Sequence, residues 1–168
     1  MPVELRRAKP PDADFLLELL ADDEVRQFLG PRTATARDEV LEEIERSLAE
    51  PESFGRFVIE LDGEPAGMLG FHVVNERSRI ARLERLAVHL RHRGRRLADE
   101  AARMFQQLLL EELGFHRLEL EIYAFNDRAC AHAERVGFVR EGRKRKAYLK
   151  DGEWVDTVLY ALIPEDLD

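Results

Sequence analysis

The spacing of apolar residues changes period several times along the chain, and each change marks an element. Residues 3–8 read as a short strand, closed by Pro10-Pro11-Asp12, which can also open a helix. Phe15, Leu16, Leu19 and Leu20 then fall on one helical face. Gly30-Pro31 breaks that segment. Thr35 with Asp38 three residues on resembles a capping box, and Val40, Leu41, Ile44 and Leu48 form the stripe of the helix behind it. After a loop at 51–55, residues 57–61 form a strand. Asp62-Gly63 is a strong hairpin signal, and the partner strand runs over 68–74, with Gly67 and Gly70 in or beside it.

The next strand is 80–88. It runs into a basic loop, Leu90-Arg91-His92-Arg93-Gly94-Arg95-Arg96, and then a helix with Leu97, Ala101, Met104, Phe105 and Leu108 on one side. Gly114 is the expected stop. Residues 117–123 alternate, Leu118, Leu120 and Ile122 against Glu119 and Glu121, as a half-buried strand does. Asn126 can cap a short helix through Val136, ended by Gly137. Residues 138–149 and 154–163 read as two strands about Asp151-Gly152. There is no linker, repeat or low-complexity tract. The expected fold is α+β: a single domain over 1–168 with a mixed, mostly antiparallel sheet and helices on both faces.

Composition narrows the function. The 168 residues are 45% hydrophobic and 36% charged, a globular balance for one domain. No apolar run approaches the roughly 18–20 residues that cross a bilayer. Residues 1–7 lack the apolar stretch of a secretory signal, so the expected compartment is the cytoplasm. Cys130 is the single cysteine, which excludes an internal disulfide or an all-cysteine metal site. The five histidines have no metal-ligand spacing, so no metal is expected. A net charge of −8 argues against general nucleic-acid binding. The charge is uneven. Residues 12–52 hold thirteen acids and four bases, whereas residues 77–98 hold eight arginines and one acid, Glu84. The second stretch surrounds a glycine turn and reads as an anion site. The first reads as solvated helix faces.

Strand, basic glycine loop and helix, in that order, make a place for phosphate. A helix N-terminus exposes unpaired amides and the positive end of a dipole, and a glycine before it lets the backbone approach an anion. No Lys-Ser/Thr pair follows and only one glycine is present, so the loop is neither a Walker A sequence nor a dinucleotide fingerprint.

Leu86-Ala87-Val88 followed by Arg91-x-x-Gly94 and a helix resembles the cofactor motif of the GNAT superfamily of acyl-CoA-dependent N-acetyltransferases. The stretch from Tyr123 through Asn126, Glu134, Gly137-Phe138 to Glu141-Gly142 resembles the second half of that fold. The ending, Lys146 to Leu159 with Tyr148 and Trp154, resembles the branch that holds ribosomal-protein N-terminal acetyltransferases and spermidine acetyltransferases. The resemblance implies acetyl-CoA as co-substrate, bound through Leu86, Ala87, Val88, Arg91, Arg93, Gly94, Arg95, Arg96, Leu97 and Asn126. It implies that the strand at 86–88 offers a backbone amide to polarise the thioester carbonyl. It implies an amine acceptor, either a protein N-terminus or a small amine, and no membrane partner. A monomer and a homodimer both stay open.

Two positions depart from the family. Arg96 stands where the motif has Gly or Ala. Ala133 stands where many members have a tyrosine that protonates the leaving thiolate; a thiol pKa near 8.5 lets a thiolate leave without full protonation. Neighbouring His132 is turned by roughly 100° on a helix and does not inherit the role. Glu84 is the candidate base: it precedes Val88 by four residues and by alternation shares a face with Leu86 and Val88. The bland alternative is that it pairs with a nearby arginine. His72 is expected to line the cleft or serve structure, and His89 and His92 to lie near solvent or phosphate. Tyr148 and Trp154 are expected beside the acceptor cleft, and the basic run from Arg140 to Lys146 on a solvated face. An α-amine, with pKa near 8, is roughly a tenth free base at pH 7, whereas an amine near 10.4 is free only about once in a few thousand. A site with one uncertain base favours the first. Polyamine acetylation and a non-catalytic CoA-binding module are the alternatives.

Overall fold

The computed structural model describes residues 2–30, 33–94 and 96–167. Seven strands form one sheet: β1 (Val3–Arg7), β2 (Phe54–Leu61), β3 (Glu64–Asn75), β4 (Ile80–Val88), β5 (Arg117–Tyr123), β6 (Val139–Lys150) and β7 (Glu153–Leu162). Their order is β1-β2-β3-β4-β5-β7-β6, and every neighbouring pair is antiparallel except β4 with β5. The helices are α1 (Ala13–Ala21), a single-turn α2 (Asp23–Arg26), α3 (Arg37–Ala49), α4 (Leu97–Gln107) and α5 (Asp127–Arg135). A wide π turn, Leu108–Glu112, extends α4.

The sheet is buried on both faces, which gives two cores. On one face α4 and α5 cover a cluster that includes Phe57, Phe71, Phe105, Phe115, Leu118 and Tyr160. On the other, α1 and α3 cover Val58 and Met68 with Leu16, Leu20, Val40 and Ile44. We call these the α4 face and the α3 face. Two-sided burial explains why β2 is buried along nearly its whole length rather than at alternate positions.

The expected α+β sheet is present, and β4 and β5 keep their expected bounds. Asp62 and Gly63 both have positive φ, 53° and 82°, as a two-residue hairpin turn requires. Three local expectations are corrected. The Thr35–Asp38 capping box does not form; Glu39 reaches back to the Thr35 amide and hydroxyl at 3.3 Å each. Leu48 is exposed, and Ser47 holds the buried position on α3. Ser47 is there for its hydroxyl, which accepts from the Arg56 amide at 2.9 Å and from Arg7 at 3.1 Å. Finally, β2 begins at Phe54, so the segment expected as a loop up to residue 55 already lies partly in the sheet.

Candidate active site

Two irregularities of β4 create the site. The first is a bulge. Gly70 pairs with Glu84 and Met68 with Ala87, so Arg85 and Leu86 both stand opposite Leu69. Arg85 takes the left-handed conformation, φ 60°. The bulge resets the alternation. Glu84 and Ala87 point to the α3 face and Val88 to the other, so Glu84 does not share a face with Val88 as simple alternation predicts. The second is a split. β4 pairs with β5 over only three positions, Ile80, Ala81 and Arg82 with Arg117, Leu118 and Glu119. Beyond them the strands part, and the edge of β4 carrying residues 83–88 has no strand neighbour on that side among the described residues.

The opposite edge of residues 86–88 is held tightly. Gly67 pairs with Val88, and His89 donates to the Ala66 carbonyl at 2.7 Å. A Cβ at Gly67 would lie 2.5 Å from the Ala87 carbonyl oxygen and 3.3 Å from the Val88 Cα. These are backbone atoms and cannot swing away. Gly67→Ala is therefore expected to push β4 into the split, costing ~1–3 kcal/mol of stability and weakening CoA binding, as urea unfolding and calorimetric titration would register.

The loop after β4 has the shape expected of an anion site. A short turn, Leu90–His92, leads to Gly94, whose φ is 82° and whose missing side chain faces open space. Arg96 precedes α4 with φ 54°. That left-handed conformation explains why glycine suits this position, and an arginine there carries backbone strain. Its side chain is 82% exposed and reaches towards Asp99 of α4 at 3.9 Å. No side chain caps the α4 N-terminus, and Leu97, its first residue, is buried and anchors the helix. Arg91 is exposed within the Leu90–His92 turn. Arg95 lies outside the described residues.

Other residues of the loop are placed differently from expectation. The Arg93 guanidinium turns inward: it donates to the Val88 carbonyl at 3.0 Å and pairs with Asp22 and Glu24. Its charge is spent on holding the loop to α2, so the side chain is not free for a phosphate. His89 stacks on Phe15 and contacts Glu18 at 3.0 Å. The ring nitrogens of His92 are buried without a partner. On α5, the Asn126 side chain accepts from the Ala129 amide at 3.1 Å, the expected cap. Ala133 is fully buried. His132 binds Asp99 of α4 at 2.8 Å, and Arg135 binds the same carboxylate through two nitrogens. Together they clamp α5 to the first turn of α4. Arg135 and His132 hold the Asp99 carboxyl far below the usual range against the opposing effect of burial.

Glu84 is the centre of a polar cluster. Its Oε1 accepts from Arg56 Nη1 at 2.8 Å and lies 3.2 Å from His72 Nδ1. Arg56 is buried, and Gly70 makes room for it: a Cβ there would stand 2.7 Å from its Nη1. Glu43 of α3 takes Arg56 at 3.4 Å and both terminal nitrogens of Arg85. Burial would raise the Glu84 pKa, but the His72 hydrogen bond and the charges of Arg56 and His72 outweigh it and hold the group at about 2. The arginine partner is thus Arg56, not the Arg82 or Arg85 that lie next to it in sequence. A groove of ≈ 450 Å³ opens beside the cluster, lined by Glu39, Glu42 and Arg46 of α3 and by Arg56, His72 and Glu84 of the sheet. Sequence reading missed Arg56 and Glu43. The one signal was a charged residue inside the apolar run of β2.

Across the split, Glu121 is tied by Arg82, Lys144 and Thr157 at 2.8 to 3.2 Å. Tyr123 stacks on Phe125 and meets the edge of Tyr148, an aromatic wall at the end of β5. Trp154 is not part of it; it is 61% exposed at the tip of the β6–β7 hairpin. Arg143 and Lys144 pair with Asp156 and Glu121, and the rest of the basic run is exposed. Among the described residues, no group of three or more His, Cys, Asp or Glu is placed to hold a metal, and no helix is long and apolar enough to cross a membrane.

The unpaired edge of β4, the open glycine turn and the uncapped α4 N-terminus fit a thioester on a long arm with a pyrophosphate. Comparison with known proteins agrees. The family model of the acetyltransferase (GNAT) domain matches residues 3–139. The N-acetyltransferase YokL of Bacillus subtilis, from the SPbeta prophage and uncharacterized, is 24% identical over 96% of this chain and 90% of its own length. YdaF of the same organism, whose name proposes a ribosomal N-acetyltransferase, is 25% identical over 98% and 92%. A crystal structure of spermidine N-acetyltransferase from Vibrio cholerae with CoA and spermine superposes with a TM-score of 0.84 at 20% identity, over 98% of this chain and 97% of that one. With a strand split, a glycine turn before α4 and a family match over most of its length, the chain belongs to the GNAT acetyltransferases and takes its acetyl group from acetyl-CoA.

Proposed function

We propose that the acceptor is the α-amine of a protein N-terminus. The observation that carries this reading is the ion pair on Glu84. A carboxylate held at about pKa 2 is a poor store for a proton, so the site suits an amine that already has a sizeable free-base fraction at neutral pH. Acetyl-CoA supplies the thioester. The chain supplies a backbone amide of the Leu86–Val88 stretch, on the unpaired edge of β4, for the carbonyl oxygen, and the Gly94 turn with the α4 amides for the pyrophosphate. Arg91, and Arg95 as the sequence implies, are left to meet phosphate charge, because Arg93 is engaged elsewhere. In this reading Glu84 meets the amine with Oε2, because Arg56 and His72 both sit on Oε1.

A second reading has its own observation. Glu39 and Glu42 line the groove beside Glu84 and would attract a polycation. Thiol release from acetyl-CoA, measured with a panel of N-terminal peptides, polyamines and aminoglycosides, separates the two. Turnover confined to peptides with a free α-amine is the expected result. Turnover confined to polyamines would replace the first reading with the second, and tight CoA binding with no turnover would leave a binding module.

A further inference from the structure

We infer that Arg93 is a positioning residue for the acceptor: it holds in place the crossbar beneath which the amine reaches the thioester. This rests on the reading that the amine meets Glu84, which points to the α3 face. Helix α4, which follows the Gly94 turn, and α5 pack on the other face. Acceptor and cofactor therefore come to the split from opposite sides. On the α3 face the split is crossed twice. At one end Arg82 of β4 pairs with Glu119 and Glu121 of β5. At the other, Leu29 packs on the same core as Ala87 of β4, and its carbonyl accepts from the Tyr123 hydroxyl of β5 at 3.3 Å. Phe28 meets Phe125 beside it, with ring centroids 6.0 Å apart. Glu84 stands on β4 between the two crossings. The amine thus has a window, closed at one end by ion pairs of the sheet and at the other by a segment outside it.

That second crossing is carried by residues 22–29. Asp22 Oδ1 accepts from the Glu24 amide at 3.0 Å, and backbone hydrogen bonds link Val25 to Asp22, Phe28 to Val25 and Leu29 to Arg26. The segment is one connected piece, so what moors its start also steadies Phe28 and Leu29. Val25 is buried and supplies an apolar anchor. Arg93 supplies the polar one. Its guanidinium pairs with Glu24 and with Asp22 Oδ2 at 3.5 Å, while its Nε donates to the Val88 carbonyl at 3.0 Å. Among the described residues, no other ion pair joins the side chains of residues 22–29 to the rest of the chain. One side chain therefore ties the crossbar to the end of β4, next to the stretch that meets the thioester. If the tether is cut, the crossbar holds its place for only a fraction of the time, and acceptor affinity falls by that fraction. Arg93 touches neither the amine nor the cofactor and acts through Asp22, Glu24 and Val88.

The test is Arg93→Met, which keeps the aliphatic stem and removes the charge and the donors. At saturating acetyl-CoA the KM for the acceptor should rise about tenfold while kcat changes far less, and CoA affinity and its salt dependence should stay those of the wild type. Arg93→Lys keeps one ion pair and should recover part of the loss. Asp22→Asn with Glu24→Gln cuts the tether from its other end, leaves the Asp22 cap in place and should reproduce the rise in KM. This pair also serves if Arg93→Met lowers the melting temperature. A further readout needs no turnover: amide hydrogen exchange at Phe28 and Leu29 should quicken in Arg93→Met and in the double variant. Weaker CoA binding with an unchanged acceptor KM would make Arg93 a phosphate ligand and overturn the inference, as would wild-type exchange at Phe28 and Leu29 in both variants. A wild type silent toward every amine overturns the acceptor reading instead, and the exchange rates then still judge the tether.

Discussion

Glu84→Gln is expected to lower kcat/KM by ~10²–10⁴ at neutral pH while CoA affinity stays close to that of the wild type. Glutamine keeps the size of the side chain, and its carbonyl oxygen can still accept from Arg56, so the cluster stays filled. What it loses is the ability to accept and pass a proton. Raising the pH should restore part of the rate, because the acceptor then deprotonates in solution. For an α-amine that partial recovery should level off by about pH 8–9, and for a polyamine it should still be rising near pH 10. One pH–rate profile of this variant thus reports on the role of Glu84 and on the acceptor class together. Wild-type activity in Glu84→Gln would remove the residue from the reaction.

Arg56→Met is expected to destabilise the fold by ~3–5 kcal/mol, because it leaves the Glu84 carboxylate, most of it out of solvent, without its arginine, whereas Glu43 keeps Arg85. The pH dependence has a definite sign. In the wild type the Glu84 pKa is about 2, below its ordinary 4.5, so the ionised group contributes stability above roughly pH 4.5 that is lost as pH falls towards 2. Without Arg56 the burial of Glu84 is opposed chiefly by His72, and its pKa should rise. The variant then loses less stability on acidification than the wild type. Urea unfolding at pH 7 and pH 3 should show the gap between variant and wild type narrowing at the lower pH. A constant gap would mean that Arg56 acts through packing on Phe54, over whose ring it lies at 4.3 Å, rather than through charge.

Local signals carried the sequence reading a long way. The hairpin at Asp62-Gly63, the Asn126 cap, the bounds of β4 and β5 and the glycine turn before α4 depend on residues within a few positions of one another, and all are present. What was not legible depends on distance or on register. Arg56 meets Glu84 across 28 positions, and Glu43 meets Arg85 across 42. No spacing rule reaches that far. The face of Glu84 was misread because alternation assumes an unbroken strand, and the bulge at Arg85 has no glycine to announce it. The α3 stripe was misplaced at Leu48 because a buried serine that satisfies an arginine and a strand amide outweighs a leucine that can stay wet. Arg93 looked like a phosphate ligand until Asp22 and Glu24, about 70 positions away, claimed it.

The three-pair junction between β4 and β5 also has a mechanical meaning. On the α4 face one core, with Phe57, Phe71, Phe105, Leu118 and Val158, spans both halves of the sheet. On the α3 face the core belongs to β1–β4 alone, and links between the halves include the ion pairs of Arg82, a hydrogen bond from the Tyr123 hydroxyl to the Leu29 carbonyl at 3.3 Å and a contact of Phe28 with Phe125. The stiff side is therefore the α4 side. The half-sheets form a clamshell whose hinge line runs along that core and whose mouth opens towards the groove. Its softest deformation widens or narrows the gap between residues 83–88 and 120–123 without disturbing Phe105 or Leu118. Relaxation-dispersion measurements should find these two segments exchanging together on the microsecond-to-millisecond scale, about a fixed axis of core residues.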